Sequence, residues 1–333
     1  MRKRVALLTG LVLVLWLPLA GAQTLKIATL VPDGTSWMKE LRAAGDAITE
    51  RTGGRVKVKY YPGGVMGNYN AVLRKIQIGQ LQGAAFSAGD LISVYPDVEI
   101  YSLPFLFRSY DEVDYVRERM DEHIVSGLDA GGFVTLGISE AGFAYLMSDS
   151  PVSTVDELKR KKVWVPDNDV LGKAVFQTAG VAPVPLPMSD VYTGLQTGLV
   201  DTFAGLPTAV IAFQWHTKAK YFMDEPLLYL IGLVVVQKKA FNKISADDQA
   251  IVREVFAAAM DGLNAAARSD SANAKDALKN QGLEFLQPDR AELQRWQDIA
   301  SEAVAKLRAD GVYSEYNLDR VQSLVDEYRA QTN

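Results

Sequence analysis

Apolar and polar positions along this chain follow two periods, and their order predicts its architecture. Residues 25–30 read as a strand that stops at Pro32-Asp33-Gly34. Thr35 or Ser36 then caps a helix in which Trp37, Leu41, Ala44 and Ile48 share one face, and Gly53-Gly54 ends it. Over residues 56–61, Val56, Val58 and Tyr60 alternate with Lys57, Lys59 and Tyr61, the period of a half-buried strand. Pro62-Gly63-Gly64 turns the chain, residues 68–78 are helical, and residues 83–87 form a short buried strand. This β-α-β-α-β order implies a parallel sheet with crossover helices, and ligands bind outside the carboxyl ends of such strands. The loops at 31–37, 63–69 and 86–90 therefore face a cleft.

The second half repeats the mixture. An amphipathic, charged helix over 109–128 leads to a strand over 133–139 that continues towards Tyr145. Thr154 caps the next helix with Asp156 and Glu157 in its first turn. A short strand at 163–165 stops at Pro166, and a helix covers 169–179. Pro183, Pro185 and Pro187 allow only an extended edge segment. Ser189 is placed to cap a short helix, Gly198 to end it in the left-handed conformation, and residues 200–204 to form a strand. An aromatic helix is expected over 211–221 and a buried strand over 227–236. Ser245 starts an alanine-rich helix reaching about Gln281, a strand follows at 283–286, and two helices finish the chain.

Composition alters this picture mainly at the N-terminus. Arg2, Lys3 and Arg4 precede an apolar run and an Ala20-Gly21-Ala22 site, the pattern of a secretory signal peptide cleaved after Ala22. Loss of those three cations takes the formal net charge from −5 to −8, and no basic stripe marks a nucleic-acid surface. There is no cysteine, hence no disulfide and no lipid attachment to one. The mature chain of ~310 residues is long for one core and suggests two lobes. Two histidines, His123 and His216, sit in helical contexts without a nucleophile elbow, a phosphate-loop spacing or a metal-ligand spacing. Asp167-Asn168-Asp169 begins like a calcium loop, but Leu171 stands where the next ligand belongs. Catalysis, cofactors and metals are not indicated.

The stretch Pro183-Val184-Pro185-Leu186-Pro187, Ser189-Asp190-Val191-Tyr192, Leu195-Gln196-Thr197-Gly198, Val200-Asp201 resembles the DctP-type solute-binding proteins of TRAP (tripartite ATP-independent periplasmic) transporters. Leu103-Pro104-Phe105-Leu106-Phe107 and Gly142-Phe143 also resemble family positions, and the likeness covers nearly the whole mature chain. It implies an α/β, two-lobe periplasmic binding protein of the Venus-flytrap type, with a long helix spanning both lobes. Lobe I is expected over 23–146 plus 232–276, and lobe II over 147–231 plus 277–333. The implied partners are a small organic ligand and the membrane permease subunits, met transiently by a monomer.

Against that family the chain departs at the ligand. Members commonly hold a carboxylate with an arginine in a Lys-x-Arg strand, because a guanidinium fork matches a carboxylate bidentately. Here Lys162-Val163-Trp164 puts Trp164 in the arginine's place. A second arginine, found in the sialic-acid type, corresponds to Ala144. Met188 replaces an aromatic residue, and the segment 202–207, with Phe203 and Gly205, replaces a polar one. Trp164 reads as a pocket wall, the other reading being a core tryptophan. Trp37, Tyr69, Phe86, Phe143, Tyr145, Phe203 and Trp215 are expected to join it, with Ser87, Asn168, Gln77 and Glu140 as polar candidates. The expected ligand has apolar or aromatic surface. An organic acid anchored by Arg74 or Lys173, and a sensor rather than a transport role, are the alternatives.

Overall fold

The structure, a computed structural model, describes residues 22–332, so the expected signal peptide lies almost wholly outside the described residues. The first lobe starts with β1 (Gln23–Thr29), α1 (Ser36–Arg51), β2 (Val56–Tyr61), α2 (Tyr69–Gln77) and β3 (Gly83–Ser87). β1 lies between β2 and β3, parallel to both. Thr35 caps α1 by accepting from the Met38 amide; Leu41, Ala44 and Ile48 of the predicted face are buried, but Met38 is buried in place of Trp37, which is only half-buried. Next come α3 (Tyr110–Ala130) and β4 (Phe133–Ser148). The second lobe holds α4 (Val155–Leu158), β5 (Trp164–Pro166), α5 (Val170–Thr178), β6 (Val184–Leu186), α6 (Val191–Thr197), β7 (Thr202–Gly205), α7 (Pro207–Ala212) and β8 (Tyr221–Met223). The chain then returns through β9 (Leu228–Gln237), α8 (Lys238–Phe241), α9 (Ala246–Asn280), β10 (Glu284–Leu286), α10 (Arg290–Ala309) and α11 (Glu315–Thr332).

Two long strands join the halves. The main sheet runs β10-β8-β4-β9-β3-β1-β2, with β7 also paired to β4, and β5 and β6 form a small separate sheet. Residues 133–144 of β4 pair with β9, whereas its end, Tyr145–Ser148, pairs with β7 and β8. One strand therefore belongs to both lobes. Gly83 is needed where β3 meets β9, because a Cβ there would stand 2.3 Å from the Val235 carbonyl oxygen. α9, 35 residues and about 52 Å long at 1.5 Å per residue, covers both halves. Val252, Phe256 and Met260 share a core cluster with Leu25, Ile27 and Val234, and Leu278 belongs to another with Phe222 and Leu283.

The crossing is held by a buried polar network. β4 slips register between Glu140 and Gly142, and Gly142 takes φ 105, a conformation glycine adopts cheaply. Glu140 at this bulge accepts from Arg268 of α9 at 3.0 Å through each carboxylate oxygen, and from the Tyr229 hydroxyl at 3.1 Å. Arg268 also donates to Asp114 of α3. Further along α9, Lys275 reaches Asp224 at 2.6 Å.

Two expectations are corrected. Ser189 is not a helix cap: the chain enters through one 3-10 turn at Met188–Asp190, and the Ser189 hydroxyl donates to Asp190 instead. The helix over 211–221 is broken, because Gln214 adopts φ 60; α7 ends at Ala212, a turn covers Trp215–Lys218, and Tyr221 begins a strand. The last two helices pack on different elements. α10 lies on α5, but α11 lies on α3 and on Pro96–Ser102, elements that precede the crossing.

Candidate ligand-binding cleft

Backbone geometry at the carboxyl ends of β1 and β3 builds a recess. The amides of Gly63 and Gly64 donate to the carbonyls of Val31 and Thr29 at 2.9 and 3.0 Å, laying the loop after β2 across the end of β1. Asn68 caps α2 by accepting from the Ala71 amide, which sets Tyr69 in the first turn. The result is a shallow, solvent-open recess with about 10 Å³ of free volume, with Leu30, Met66, Tyr69, Val72 and Phe86 among its lining side chains. Lys75 approaches from below, but its ammonium donates to the Met66 carbonyl at 2.8 Å. At the rim, Asp90 accepts from the Ser87 amide and hydroxyl at 3.0 and 2.8 Å, both through Oδ2. Burial pushes the Asp90 carboxyl up to about 6, against the lowering effect of the two Ser87 bonds.

The second lobe meets this rim with the loop after β5. Pro166 ends the strand, and Asp169 caps α5 by accepting from the Gly172 amide at 2.7 Å. Between them Asn168 donates to the Gly89 carbonyl at 2.7 Å, a hydrogen bond from one lobe to the other. Lys173 donates to the Asp167 carbonyl at 2.6 Å. Burial raises the Tyr69 phenol, and the charges of Asp167 and then Asp90 raise it further. Behind the rim lies Glu99, buried, whose Oε2 accepts from the Tyr313 hydroxyl at 2.9 Å. Burial first, then the charge of Asp169, pushes Glu99 up to about 8, and burial also raises Asp169.

Of the residues expected at the site, Tyr69 and Phe86 line this recess, while Ser87 bonds Asp90 and Asn168 bonds Gly89 in the loop that follows Phe86. Trp164 does not have the wetted face expected of a pocket wall. It is 5% exposed, its indole N–H donates to the Leu186 carbonyl at 3.0 Å, and its ring meets Trp215 edge-on at 5.2 Å. Trp215 in turn packs on Phe203 and Phe213, each at 5.5 Å. These rings form a core of the second lobe. Spacing in a strand cannot separate the two roles, since pocket and core lie on adjoining surfaces of one layer. Phe143 packs between Tyr110 and Tyr229, and Ala144 is buried. Tyr145 lies against Phe222 with the Lys275 ammonium 4.6 Å from its ring centre. Trp37 is half-buried and donates to Ser139 at 3.4 Å. Met188 is half-buried, and Gly205 leaves no room for a Cβ beside Val210. Gln77 is exposed, and Glu140 belongs to the crossing network. The sequence reading passed over Asp90, Asp167 and Glu99 as site groups. Only the Ser87-x-x-Asp90 spacing of a capping box hinted at one of them.

The sequence and the described topology have counterparts. Residues 27–310 match the DctP family model, bacterial extracellular solute-binding protein family 7. The chain belongs to that family. The C4-dicarboxylate-binding periplasmic protein DctP of Rhodobacter capsulatus is 25% identical over 295 residues, 87% of this chain and 88% of that one. The 2,3-diketo-L-gulonate-binding periplasmic protein YiaO of Escherichia coli is 25% identical over 243 residues, 72% and 74% of the two chains. Among solved structures, a TRAP periplasmic solute-binding protein from Ochrobactrum anthropi has a TM-score of 0.80 at 25% identity, covering 94% of this chain and 97% of its own. DctPAm of Advenella mimigardefordensis, in complex with galactonate, has a TM-score of 0.85 at 19% identity, covering 92% and 99%. This DctP-family chain is thus a solute-binding protein of the TRAP type and not an enzyme. No helix among its described residues is long and apolar enough to cross a membrane.

Proposed function

We propose that this protein captures a small organic solute between its lobes in the periplasm and delivers it to a TRAP permease. The solute has substantial apolar surface and is not held by an arginine in the family manner. One observation carries this reading: the two positions where the resemblance expects arginines hold Trp164 and Ala144, and both are buried. The Trp164 N–H is already spent on Leu186, so neither position offers a free donor to a carboxylate. Of the other basic residues, Lys173 donates to a main-chain carbonyl and Arg74 is exposed. Closure follows from ligand contacts to both lobes, which lower the free energy of the closed form relative to the open one. In our reading α11 belongs with lobe I, residues 1–22 are removed on export, and the mature protein is a monomer starting at Gln23.

The related proteins whose names specify carboxylate ligands supply the contrast. Succinate and galacturonate are expected to leave the melting temperature unchanged in a thermal-shift titration. A ligand at 100 times its dissociation constant adds about 2.7 kcal/mol when it binds only the folded state. Saturable stabilisation by either acid at low millimolar concentration refutes the ligand reading. Failure of the loaded protein to drive uptake through its permease in vesicles refutes the transport reading.

A further inference from the structure

Two short turns meet across the mouth of the cleft, and each is held firmly by its own lobe. On the second lobe the chain leaves β5 at Pro166, whose ring fixes the backbone there. The Asp169 amide donates to the Pro166 carbonyl at 3.1 Å, and the Asp169 carboxylate accepts from the Gly172 amide at 2.7 Å. The Lys173 ammonium donates to the Asp167 carbonyl at 2.6 Å. Asn168 is thus bracketed on both sides, and little ordering of its loop remains to be done when its side chain bonds. On the first lobe the facing turn is Ala88–Leu91, tied to β3 because Asp90 accepts from the Ser87 amide and hydroxyl. Behind it stands the buried Glu99, so close that a Cβ on Gly89 would lie 3.3 Å from its Oε1. Glu99 is itself held by the Tyr313 hydroxyl at 2.9 Å, so the turn is backed from within its own lobe. The Gly89 carbonyl accepts from the Asn168 side-chain amide at 2.7 Å, the short end of the range for such bonds. The contact is direct, from a side chain of one lobe to the main chain of the other.

We propose that Asn168 is a closing latch, a positioning residue whose bond to Gly89 holds the lobes together before any solute contributes. This rests on the reading of the chain as a two-lobe protein that closes, and it is independent of the class of solute. A solute then supplies only the remainder of the free energy of closing. Its apparent affinity rises with the closed fraction that the latch maintains.

The test reads lobe separation directly. The chain has no cysteine, so paired labels can be placed without background. Val65→Cys and Ser189→Cys put spin labels at exposed positions in the loops after β2 and β6, at the cleft end of each lobe. Double electron–electron resonance is measured on the full mature protein, dialysed and shown by native mass spectrometry to carry no bound compound. The expected result is a closed population at the separation this structure gives. Its ratio to the open one should fall about two- to tenfold in Asn168→Ala, the effect of one net hydrogen bond. Asn168→Asp keeps the shape but sets an acceptor against the Gly89 carbonyl, and should lower the ratio at least as far. Circular dichroism of both variants should match the parent, since each lobe keeps its own bonds. A parent without a closed population, or an unchanged ratio in either variant, overturns the latch. Those results leave the acid titrations and the vesicle uptake assay to decide ligand class and transport separately.

Discussion

Replacing Trp164 by alanine tests whether the family's ligand-facing position has become part of a core. The side chain is 5% exposed, so almost its whole surface is removed from water. Truncation of a buried tryptophan costs about 3–5 kcal/mol, transfer and cavity together. The edge-on contact with Trp215 at 5.2 Å is of a kind worth about 0.5–1.5 kcal/mol and is lost as part of that figure. The Leu186 carbonyl loses its indole donor, but β6 is only half-buried and water can replace it, so this adds less than about 1 kcal/mol. The expected loss is about 4 kcal/mol in the ligand-free protein. With a urea slope of about 3 kcal/mol per molar, the midpoint moves down by more than 1 M. Equilibrium urea unfolding, followed by fluorescence and by circular dichroism, measures it. Trp164→Phe, which keeps most of the volume, should lose less than half as much. A ligand-free Trp164→Ala protein within about 1 kcal/mol of the parent, with sharply weakened solute binding, would refute the core assignment and restore the pocket wall.

Two further outcomes follow from buried charges. Glu99 holds its proton up to about 8 because it is buried and faces the charges of Asp169 and Asp90, against the lowering effect of the Tyr313 hydroxyl that it accepts from, whereas an ordinary glutamate ionises at 4.5. The folded state therefore binds the extra proton between about 4.5 and 8, and Asp90 acts in the same sense between 3.8 and about 6. Stability from these groups is present at low pH and is lost as pH rises through that window. The ligand-free melting temperature should fall from pH 5 to pH 8, and Glu99→Gln should flatten the fall; an unaltered slope in the variant counts against it. At the crossing, Arg268→Ala leaves Glu140, 3% exposed, without its cation. The cost should be about 2–3 kcal/mol by urea unfolding, below the 3–5 typical of a fully buried pair because Arg268 is itself 38% exposed. A change under 0.5 kcal/mol would show that Tyr229 alone suffices for Glu140.

Much of the architecture was legible because the signals are local. Ser245 followed by Asp247 and Asp248 marks the start of α9, and the start appears where that pattern puts it. Gly198, at φ 71, ends α6 as its position suggested. What escaped was non-local. Nothing in the residues around Gln214 announces a left-handed turn, so β8 was absorbed into a helix. The apolar pattern of α11 shows that one face is buried but not which lobe covers it. The cleft suffered most. Trp164 fits core and wall equally well by spacing, whereas its partners Leu186 and Trp215 are fixed only by tertiary packing. Asp90, Asp167 and Glu99 look like ordinary surface acids until the fold sets the first two near Tyr69 and buries the third behind them.

The way the chain shuttles between its halves bears on export. β3 finds its outer neighbour only when β9 arrives, through pairs such as Ser87 with Gly232. Tyr313 reaches Glu99 across 214 positions, and Arg329 reaches Glu112 across 217. Neither half can close on residues translated early, so an N-terminal fragment gains little by compacting. Contacts at such separation also slow folding, since the closure entropy must be met before they form. A chain of this design is expected to stay open until its last helix has been synthesised, which would suit passage through a secretion channel as an unfolded thread.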